Sequence, residues 1–357
     1  MRLPLAALAL LAAAPALAAT EAAGSLDGIT IIDRLDVNDI AAGSVQRFWF
    51  RAGMSPVGQP WLIPVIVVKG AQPGPRLVLT AGIHGDELNG IAVLHRLGAT
   101  IDPAKLAGTV TMVPGLNPPG LLQSTRQWTP DWSRSAPNLN RELPGKEGGS
   151  AIADFAGRLW SRLIRPNADS AVDLHTQSRG TAYMMYAFAS TPRTRHMAEL
   201  VAPDIIKMDK GDKGTVENTL TDDGVPAITL ELGRPEMFDD TMIARAESGL
   251  TNLMREMKML PGKLTPPPAS LTIANDIIAA RASKPGWMRL LLPLGSPVKK
   301  DQPIAEVRDA FGGLVETVTA PAAGRINMIT TDPRVAAGDT IARIVWWSPD
   351  PACANGC

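Results

Sequence analysis

Several features that mark common functional classes are scarce in this chain of 357 residues. Its two cysteines are too few for a disulfide framework or a thiolate zinc site. Its 35 Lys and Arg residues balance 35 Asp and Glu residues, whereas a nucleic-acid-binding protein usually carries a basic excess. Only four histidines are present, so any metal or acid–base chemistry must use a short list of side chains.

Long hydrophobic runs are missing after the N-terminal segment MRLPLAALALLAAAPALAAT. In that segment one Arg precedes an apolar run that ends in the small-residue triplet Ala16-Leu17-Ala18. This pattern predicts a secretory signal peptide over residues 1–18, cleaved after Ala18. The alternative is an uncleaved membrane anchor, which the shortness of the run and Pro15 disfavour. We therefore expect an exported, periplasmic protein that has no stable membrane anchor after cleavage.

Short apolar runs alternate with helical patterns between about residues 28 and 260. The predicted strands are Leu62–Lys69, Arg76–Ala81, Thr109–Pro114, Ala171–His175 and Ala227–Leu232, and the predicted helices are Leu88–Leu97, Gly149–Arg165 and Thr241–Met259. In the second helix, Ile152, Phe155, Leu159 and Leu163 share one apolar face. Strands that alternate with helices predict an α/β domain, residues 25–260, built on a sheet with flanking helices.

The remaining sequence has a different character. The Pro-rich stretch 261–270, PGKLTPPPAS, is predicted to be a linker. Residues 271–346 contain a weak internal repeat, VKKDQPIAEV at 298–307 and VAAGDTIARI at 335–344, which predicts an all-β barrel of two similar halves that resembles biotinyl/lipoyl-like domains. A carrier domain needs a Lys at a hairpin tip, and none follows Lys300, so we expect a structural or capping module. The tail, 347–357, holds Cys353 and Cys357, either as a small disulfide or as free thiols.

Three of the residues suited to metal binding follow or end predicted strands. His84-Gly-Asp-Glu87 comes directly after one strand, and His175 ends another. In open α/β sheets, sites form at the carboxyl ends of strands, so these side chains are expected to converge. Two His and one Glu with an open fourth position are typical of catalytic zinc. The alternative is a polar turn with a solvated Glu and a hydrogen-bonded His. Of the two other histidines, His95 is expected to be a surface or hydrogen-bonded helix residue, and His196 is expected to be exposed.

Other polar groups offer the remaining parts of a hydrolytic site. Glu231 lies in the apolar strand AITLELG, where burial would raise its pKa toward a value useful for a general base; the alternative is a Glu on the wet face of an edge strand. The segment after Asn117 contains Arg126, Arg134 and Arg141, and Arg binds carboxylates bidentately. Arg134 is taken as surface charge.

These motifs occur in one order along the chain: His84-x-x-Glu87, Asn117-Pro118 followed by Arg126, Asn140-Arg141 in NLNRELPG, DLHT ending in His175, and ITLELG around Glu231. That order resembles the succinylglutamate desuccinylase/aspartoacylase family, zinc-dependent relatives of the carboxypeptidases, over about residues 62–260. The resemblance implies a zinc-carboxypeptidase-like mixed sheet, and the C-terminal barrel is similar to the β-domain of the same family.

The resemblance also implies roles for individual residues. One zinc ion per chain would be ligated by His84, Glu87 and His175. Glu231 would be the general base and Arg126 would polarise the scissile carbonyl, while Asn140 and Arg141 would hold the polar or carboxylate end of the substrate. Asp173 lies two residues before His175, on the same strand face, and would orient it.

The sequence also departs from the family pattern. Asn138 stands where the family usually has Asp, which removes a charge behind the metal site. The cations available before Glu231 to anchor a small diacid are Lys207, Lys210 and Lys213. Trp128 and Trp132 would form either a hydrophobic rim for a larger substrate or simple loop packing.

Taken together, the sequence predicts an exported zinc-dependent hydrolase that cleaves an amide bond in an N-acyl amino acid or short peptide. A cell-wall peptide carboxypeptidase or amidase is the first alternative, and a non-catalytic periplasmic binding or adaptor protein is the second. The expected partner is a small molecule or short peptide rather than a nucleic acid, with a homo-oligomer left open.

Overall fold

The computed structural model describes residues 19–128, 137–354 and 356–357. The predicted signal peptide, Trp132 and Arg134 lie outside these ranges. Within them, no helix is both long enough and apolar enough to cross a bilayer.

Twenty strands and six α-helices are described. The strands are β1 (Glu21–Leu26), β2 (Ile29–Arg34), β3 (Ser44–Met54), β4 (Pro60–Lys69), β5 (Gln72–Ala81), β6 (Ala107–Pro114), β7 (Ser170–His175), β8 (Thr181–Tyr183), β9 (Met185–Ala189), β10 (Ile205–Met208), β11 (Ala227–Leu232), β12 (Thr272–Ala274), β13 (Asp276–Arg281), β14 (Gly286–Leu290), β15 (Pro297–Val298), β16 (Pro303–Arg308), β17 (Leu314–Thr319), β18 (Gly324–Thr330), β19 (Arg334–Val335) and β20 (Thr340–Trp346). The helices are α1 (Asn89–Thr100), α2 (Pro118–Gln123), α3 (Ala151–Arg158), α4 (Pro192–Leu200), α5 (Val216–Asp222) and α6 (Asp240–Glu256).

A mixed sheet of eleven strands forms the larger part of the molecule, in the order β1-β2-β3-β4-β6-β5-β7-β11-β9-β10-β12. Its four central strands, β6, β5, β7 and β11, are parallel to one another. One apolar core lies between the sheet and helices α1, α4 and α6, and another lies between the sheet and helices α3 and α5. The predicted mixed α/β sheet with flanking helices is therefore confirmed.

The predicted elements match the observed ones closely at the centre of this sheet. All five predicted strands are present, each within a few residues of its expected bounds. The predicted helix Gly149–Arg165 is instead divided: α3 passes into a π-helical turn at Leu159–Ile164. Its apolar face packs on the core as expected: Phe155, Leu159 and Leu163 are buried, and Ile152 is partly buried against them. The strands toward the two ends of the large sheet, β1 to β3 and β9, β10 and β12, had not been predicted.

Residues after the Pro-rich stretch form two antiparallel sheets that share one apolar core. One contains β13, β20, β18 and β15 with β8 attached, and the other contains β17, β16, β14 and β19. The internal repeat appears as two equivalent units, β15 followed by β16 and β19 followed by β20. The closed barrel stays a prediction, because the two sheets are described only as separate hydrogen-bonded sets.

Strands cross the expected boundary between the two regions in both directions. In β8, Tyr183 pairs with Met328 of β18, so a segment of the first region extends a sheet of the second. In return, β12 adds to the large sheet by pairing Thr272 with Ile205 of β10. At the end of the chain Cys353 and Cys357 form a disulfide.

Candidate active site

The loop between β5 and α1 carries two of the predicted ligands, His84 and Glu87. Glycine is required at Gly85, because a Cβ there would lie 2.0 Å from the backbone of Gly120 in α2. The Gly85 N–H also donates to the carbonyl of Thr125 at 2.9 Å. Close packing on α2 therefore fixes the path of this loop at the carboxyl edge of the sheet.

The structure brings His84, Glu87 and His175 together. Glu87 Oε1 lies 2.9 Å from His84 Nδ1, and Glu87 Oε2 lies 2.8 Å from His175 Nδ1. The two imidazole rings are 5.1 Å apart. All three side chains are buried, at 2–4% exposure.

Both histidines form a hydrogen bond through Nε2, on the side of the ring away from Glu87. His84 Nε2–H donates to Asn138 Oδ1 at 3.1 Å, and that oxygen also accepts the Asn140 N–H at 2.9 Å. His175 Nε2–H donates to Asp173 Oδ2 at 2.7 Å. The other Asp173 oxygen accepts the hydroxyl of Thr80 at 2.6 Å. The predicted orienting role of Asp173 is thus matched by its contacts, and Asn138 still supplies an acceptor without the charge.

This arrangement fits a divalent cation. In the neutral form of each histidine with its proton on Nε2, the Nδ1 lone pair would be free for a metal, and one ligand atom from each of the three residues lies within 4.8 Å of the others. Two imidazole nitrogens and one carboxylate oxygen are ligands suited to catalytic zinc. His84, Glu87 and His175 are therefore the residues that could hold a metal.

The three side chains also shift one another's pKa values. Burial lowers the pKa of His84 below its usual value. For His175 burial acts in the same direction, but Asp173 and Glu87 outweigh it and raise its pKa well above the usual value. For Glu87, burial alone would raise the pKa, and the two histidines hold it well below the ordinary range instead. Glu87 is thus an anion facing two nitrogen donors.

Glu231 is not on a wet edge strand, as one alternative had it. It is 7% exposed on β11, which pairs on both sides, with His175 of β7 and Tyr186 of β9 as its cross-strand neighbours. Burial raises its pKa well above the usual value; His175 opposes the rise and Glu87 adds to it. Its Oε2 atom is buried, and no residue of the described ranges forms a hydrogen bond with it. The residue therefore offers a proton acceptor beside the three ligands.

Arg126 reaches the same centre from the segment after α2. Its Nη1 donates to Glu87 Oε1 at 2.9 Å and to Ser178 Oγ at 2.6 Å. Ser178 in turn donates to Glu87 Oε1 at 3.0 Å. Asp86 fixes the loop around Ser178 by accepting the Arg179 N–H at 3.0 Å. Sequence reasoning missed Ser178 and Asp86, although Asp86 lies inside the quoted motif.

Asn140 and Arg141 line the same cavity but are already partly engaged. Asn140 Oδ1 accepts the N–H of Val216 at 3.1 Å, which leaves its amide N–H groups for other partners. Arg141 donates to Asp212 Oδ2 at 2.5 Å and to the carbonyl of Asn140 at 2.6 Å. A substrate carboxylate at Arg141 would therefore share the guanidinium with Asp212.

These groups open on one cavity of about 620 Å³. Both regions of the chain contribute to it: Ile277 of β13 and Arg343 of β20 line it together with residues of the large sheet. Other lining residues that sequence reasoning did not single out include Gln177, Ser178, Tyr183, Tyr186, Phe188, Glu217 and Thr229. Arg343 donates to the hydroxyl of Tyr183 at 3.3 Å. The C-terminal sheets thus form part of the wall of the site.

Of the remaining residues considered in the sequence, only some lie at the cavity. Lys207 is buried in the cavity wall and pairs with Asp209, whereas Lys210 and Lys213 are exposed. Trp128 packs against Phe155 with ring centroids 5.4 Å apart, so it belongs to the core rather than to a rim. His95 and His196 are exposed, as expected.

Comparison with known proteins agrees with these motifs. Residues 73–257 match the family model described as the succinylglutamate desuccinylase/aspartoacylase catalytic domain. The chain belongs to the succinylglutamate desuccinylase/aspartoacylase family. The chain is also similar to the N-alpha-acetyl-L-2,4-diaminobutyric acid deacetylase of Halomonas elongata. The two are 29% identical over 326 residues, which cover 86% of this chain and 93% of the relative.

Solved structures of the family show the same fold. A succinylglutamate desuccinylase/aspartoacylase from Rhodobacter sphaeroides superposes with a TM-score of 0.75 at 22% identity, covering 87% of this chain and 98% of that one. The product-bound ectoine utilization protein EutE (DoeB) from Ruegeria pomeroyi also gives a TM-score of 0.75 at 22% identity, covering 86% of this chain and 97% of that one. At this identity the likeness establishes the architecture, which spans both regions of the chain.

Proposed function

We propose that this protein is an exported zinc-dependent hydrolase that removes the acyl group from an N-acyl amino acid. The observation that carries the proposal is the convergence of His84, Glu87 and His175 in one cavity beside Glu231, whose Oε2 atom has no hydrogen-bond partner among the described residues. The Halomonas elongata relative, named for the deacetylation of an N-acetyl amino acid, supports the same reaction class.

The chemistry follows from the positions of these side chains. A zinc ion held by His84, Glu87 and His175 would act as a Lewis acid that polarises the amide carbonyl and lowers the pKa of water. Glu231 accepts a proton from the attacking water and returns it to the leaving nitrogen, because its buried carboxyl has a raised pKa. Arg126 places positive charge where the carbonyl oxygen gains negative charge.

A substrate panel tests this function. The zinc-loaded protein should hydrolyse N-acetyl amino acids, with release of the free amine followed by a fluorogenic amine reagent. Muropeptides serve as the comparison, since the cell-wall alternative predicts that they are the better substrates. Hydrolysis of neither class by metal-replete protein would contradict the proposal.

The two cavity arginines should respond differently to substitution. Arg126→Ala should lower kcat and kcat/KM together, by about 10²-fold, because its charge acts mainly on the developing oxyanion. Arg141→Ala should mainly raise KM, because it anchors the substrate in the ground state. Steady-state kinetics on one N-acetyl amino acid measures both, with Arg96→Ala as the control, since Arg96 pairs with Asp240 outside the cavity. A larger rise in KM for Arg126→Ala than for Arg141→Ala would contradict the assignment.

The C-terminal sheets are proposed to close as a barrel that narrows the entrance to the site. Because Ile277 lines the cavity from β13, Ile277→Ala should shift the preference toward bulkier acyl groups by about tenfold or less. The measurement is the ratio of kcat/KM for acetyl and longer acyl derivatives of one amino acid. Trp287→Ala, at an exposed position of β14 outside that cavity, is the control. An unchanged ratio in Ile277→Ala would contradict the gating role.

Export is part of the same proposal and rests on residues 1–18. When the full-length chain is expressed in a Gram-negative bacterium, the product should appear in the periplasmic fraction with Ala19 as its first residue. Edman sequencing of that fraction measures the N-terminus. A product that keeps residues 1–18 and stays with the membrane would favour the anchor instead.

A further inference from the structure

Ser178, in the loop between β7 and β8, lines the active-site cavity three residues after His175. Its hydroxyl group joins two groups of the site that have different tasks. The oxygen accepts a hydrogen bond from Arg126 Nη1 at 2.6 Å, and the O–H group donates to Glu87 Oε1 at 3.0 Å. A hydroxyl has one donor and two acceptor sites, so it can make both bonds at once. The chemistry described above gives this residue no task.

The backbone on both sides of Ser178 is held in place, which gives the hydroxyl a defined position. The Gln177 N–H donates to the carbonyl of Gly233 at 3.2 Å, and the Arg179 N–H donates to Asp86 Oδ2 at 3.0 Å. These bonds fix the loop to β11 and to the motif that follows β5. A group that is fixed before it binds a partner loses little conformational freedom when it does so.

Arg126 is a side chain that needs such support. It is long and 37% exposed, so its guanidinium has many accessible positions unless hydrogen bonds restrict them. Within the described ranges its side chain donates to Glu87 and to Ser178. Glu87 is one of the three residues that could hold a metal, and a cation there would share its carboxylate with Arg126. Ser178 is not among those three residues, so its oxygen remains an acceptor for the guanidinium.

Asp86 gives the hydroxyl of Ser178 a second acceptor. Its Oδ1 atom lies 3.5 Å from Ser178 Oγ, and the residue is buried, at 3% exposure. The hydroxyl proton can therefore turn from Glu87 to Asp86 while the oxygen keeps its bond to Arg126. Donation to either carboxylate makes the oxygen a better acceptor toward the guanidinium, because neighbouring hydrogen bonds polarise one another.

We propose that Ser178 is a positioning residue, which holds the guanidinium of Arg126 beside the metal ligands so that its charge meets the carbonyl oxygen of the substrate. This inference rests on the proposed deacylase function and adds a residue to its machinery. Ser178 acts through Arg126, and Arg126 is assigned to the developing oxyanion. Loss of the hydroxyl should therefore lower kcat rather than raise KM.

A double-mutant cycle between Ser178 and Arg126, measured with one N-acetyl amino acid, tests the proposal. Ser178→Ala should lower kcat by about 10-fold or more with little change in KM, because hydrogen bonds to charged groups are among the stronger ones. In the Arg126→Ala background the same substitution should change kcat by less than about twofold. Ser178→Thr keeps the hydroxyl and should recover most of kcat. The control is Ser44→Ala, which removes a hydroxyl bonded to the carbonyl of Ala41 outside the cavity and should match the wild type.

Nuclear magnetic resonance of isotope-labelled arginine separates this inference from the proposed function, because it needs no turnover. In zinc-loaded protein the two Nη groups of Arg126, assigned by their loss in Arg126→Ala, should give separate signals, since a hydrogen bond slows rotation about the Cζ–Nη bond. Ser178→Thr should keep the signals separate, and Ser178→Ala should average them.

The outcomes of the two experiments are distinct. If no N-acetyl compound is hydrolysed, the deacylase function fails, but Arg126 signals that Ser178→Ala averages would still support the positioning role. The inference is overturned if Ser178→Ala leaves kcat unchanged or lowers it equally with and without Arg126. It is also overturned if the Arg126 signals are the same in Ser178→Ala as in the wild type.

Discussion

Turnover by the Glu231→Gln variant should fall by about 10²–10⁴-fold while its zinc content stays equal to that of the wild-type protein. Glutamine preserves the shape of the side chain and part of its hydrogen bonding, but it cannot accept a proton. Glu231 is 7% exposed, and its Oε2 atom makes no hydrogen bond with the part of the chain that the structure describes, so the substitution breaks no such bond of that atom. Elemental analysis and steady-state kinetics on the same preparation measure both quantities.

The design of this test depends on a comparison with an exposed carboxylate. Glu199→Gln on α4 removes a charge from the surface ion pair with Arg195 and should leave turnover unchanged. Loss of zinc from Glu231→Gln would instead show that Glu231 belongs to the metal site. Full activity in the same variant would remove it from the mechanism and favour a binding protein or another base.

The part of the site that could be predicted from sequence lies at the ends of the central parallel strands. His84 follows β5, His175 ends β7, and Glu231 lies near the end of β11. Parallel neighbours end at the same edge of a sheet, so recognising three strands was enough to bring these residues together. Each strand is also rich in apolar residues, as expected where both faces are covered.

The residues that escaped prediction come from elements without such a pattern. Tyr186 is on β9, a strand antiparallel to its neighbour β11, and Arg343 is on β20, more than a hundred residues after Glu231. The pairing of Tyr183 with Met328 joins two segments that no local signal connects. The hydrogen bond between Asn138 and His84 was also missed. The sequence shows that Asn replaces the usual Asp, but it does not show that the side chain still contacts His84.

The groups behind the two histidines differ in charge, and this difference should be measurable in the affinity for zinc. His175 donates to the carboxylate of Asp173, which Thr80 holds in turn, whereas His84 donates to the neutral amide of Asn138. A carboxylate behind an imidazole raises the basicity of the ligand. Asp173 should therefore matter to the metal although it does not touch it.

His175→Ala should abolish zinc binding and with it all zinc-dependent turnover, since it removes one of three ligands. Asp173→Asn should keep the metal but weaken its affinity by about 10- to 100-fold, because an amide still accepts from His175 Nε2 but adds no negative charge. Competition with a chromophoric chelator measures both affinities. His196→Ala is the matched control, because His196 is exposed on α4 and should leave zinc affinity unchanged. If His175→Ala bound zinc as tightly as this control, the proposed set of metal ligands would be wrong. If Asp173→Asn bound zinc as tightly as the wild type, Asp173 would have only a packing role.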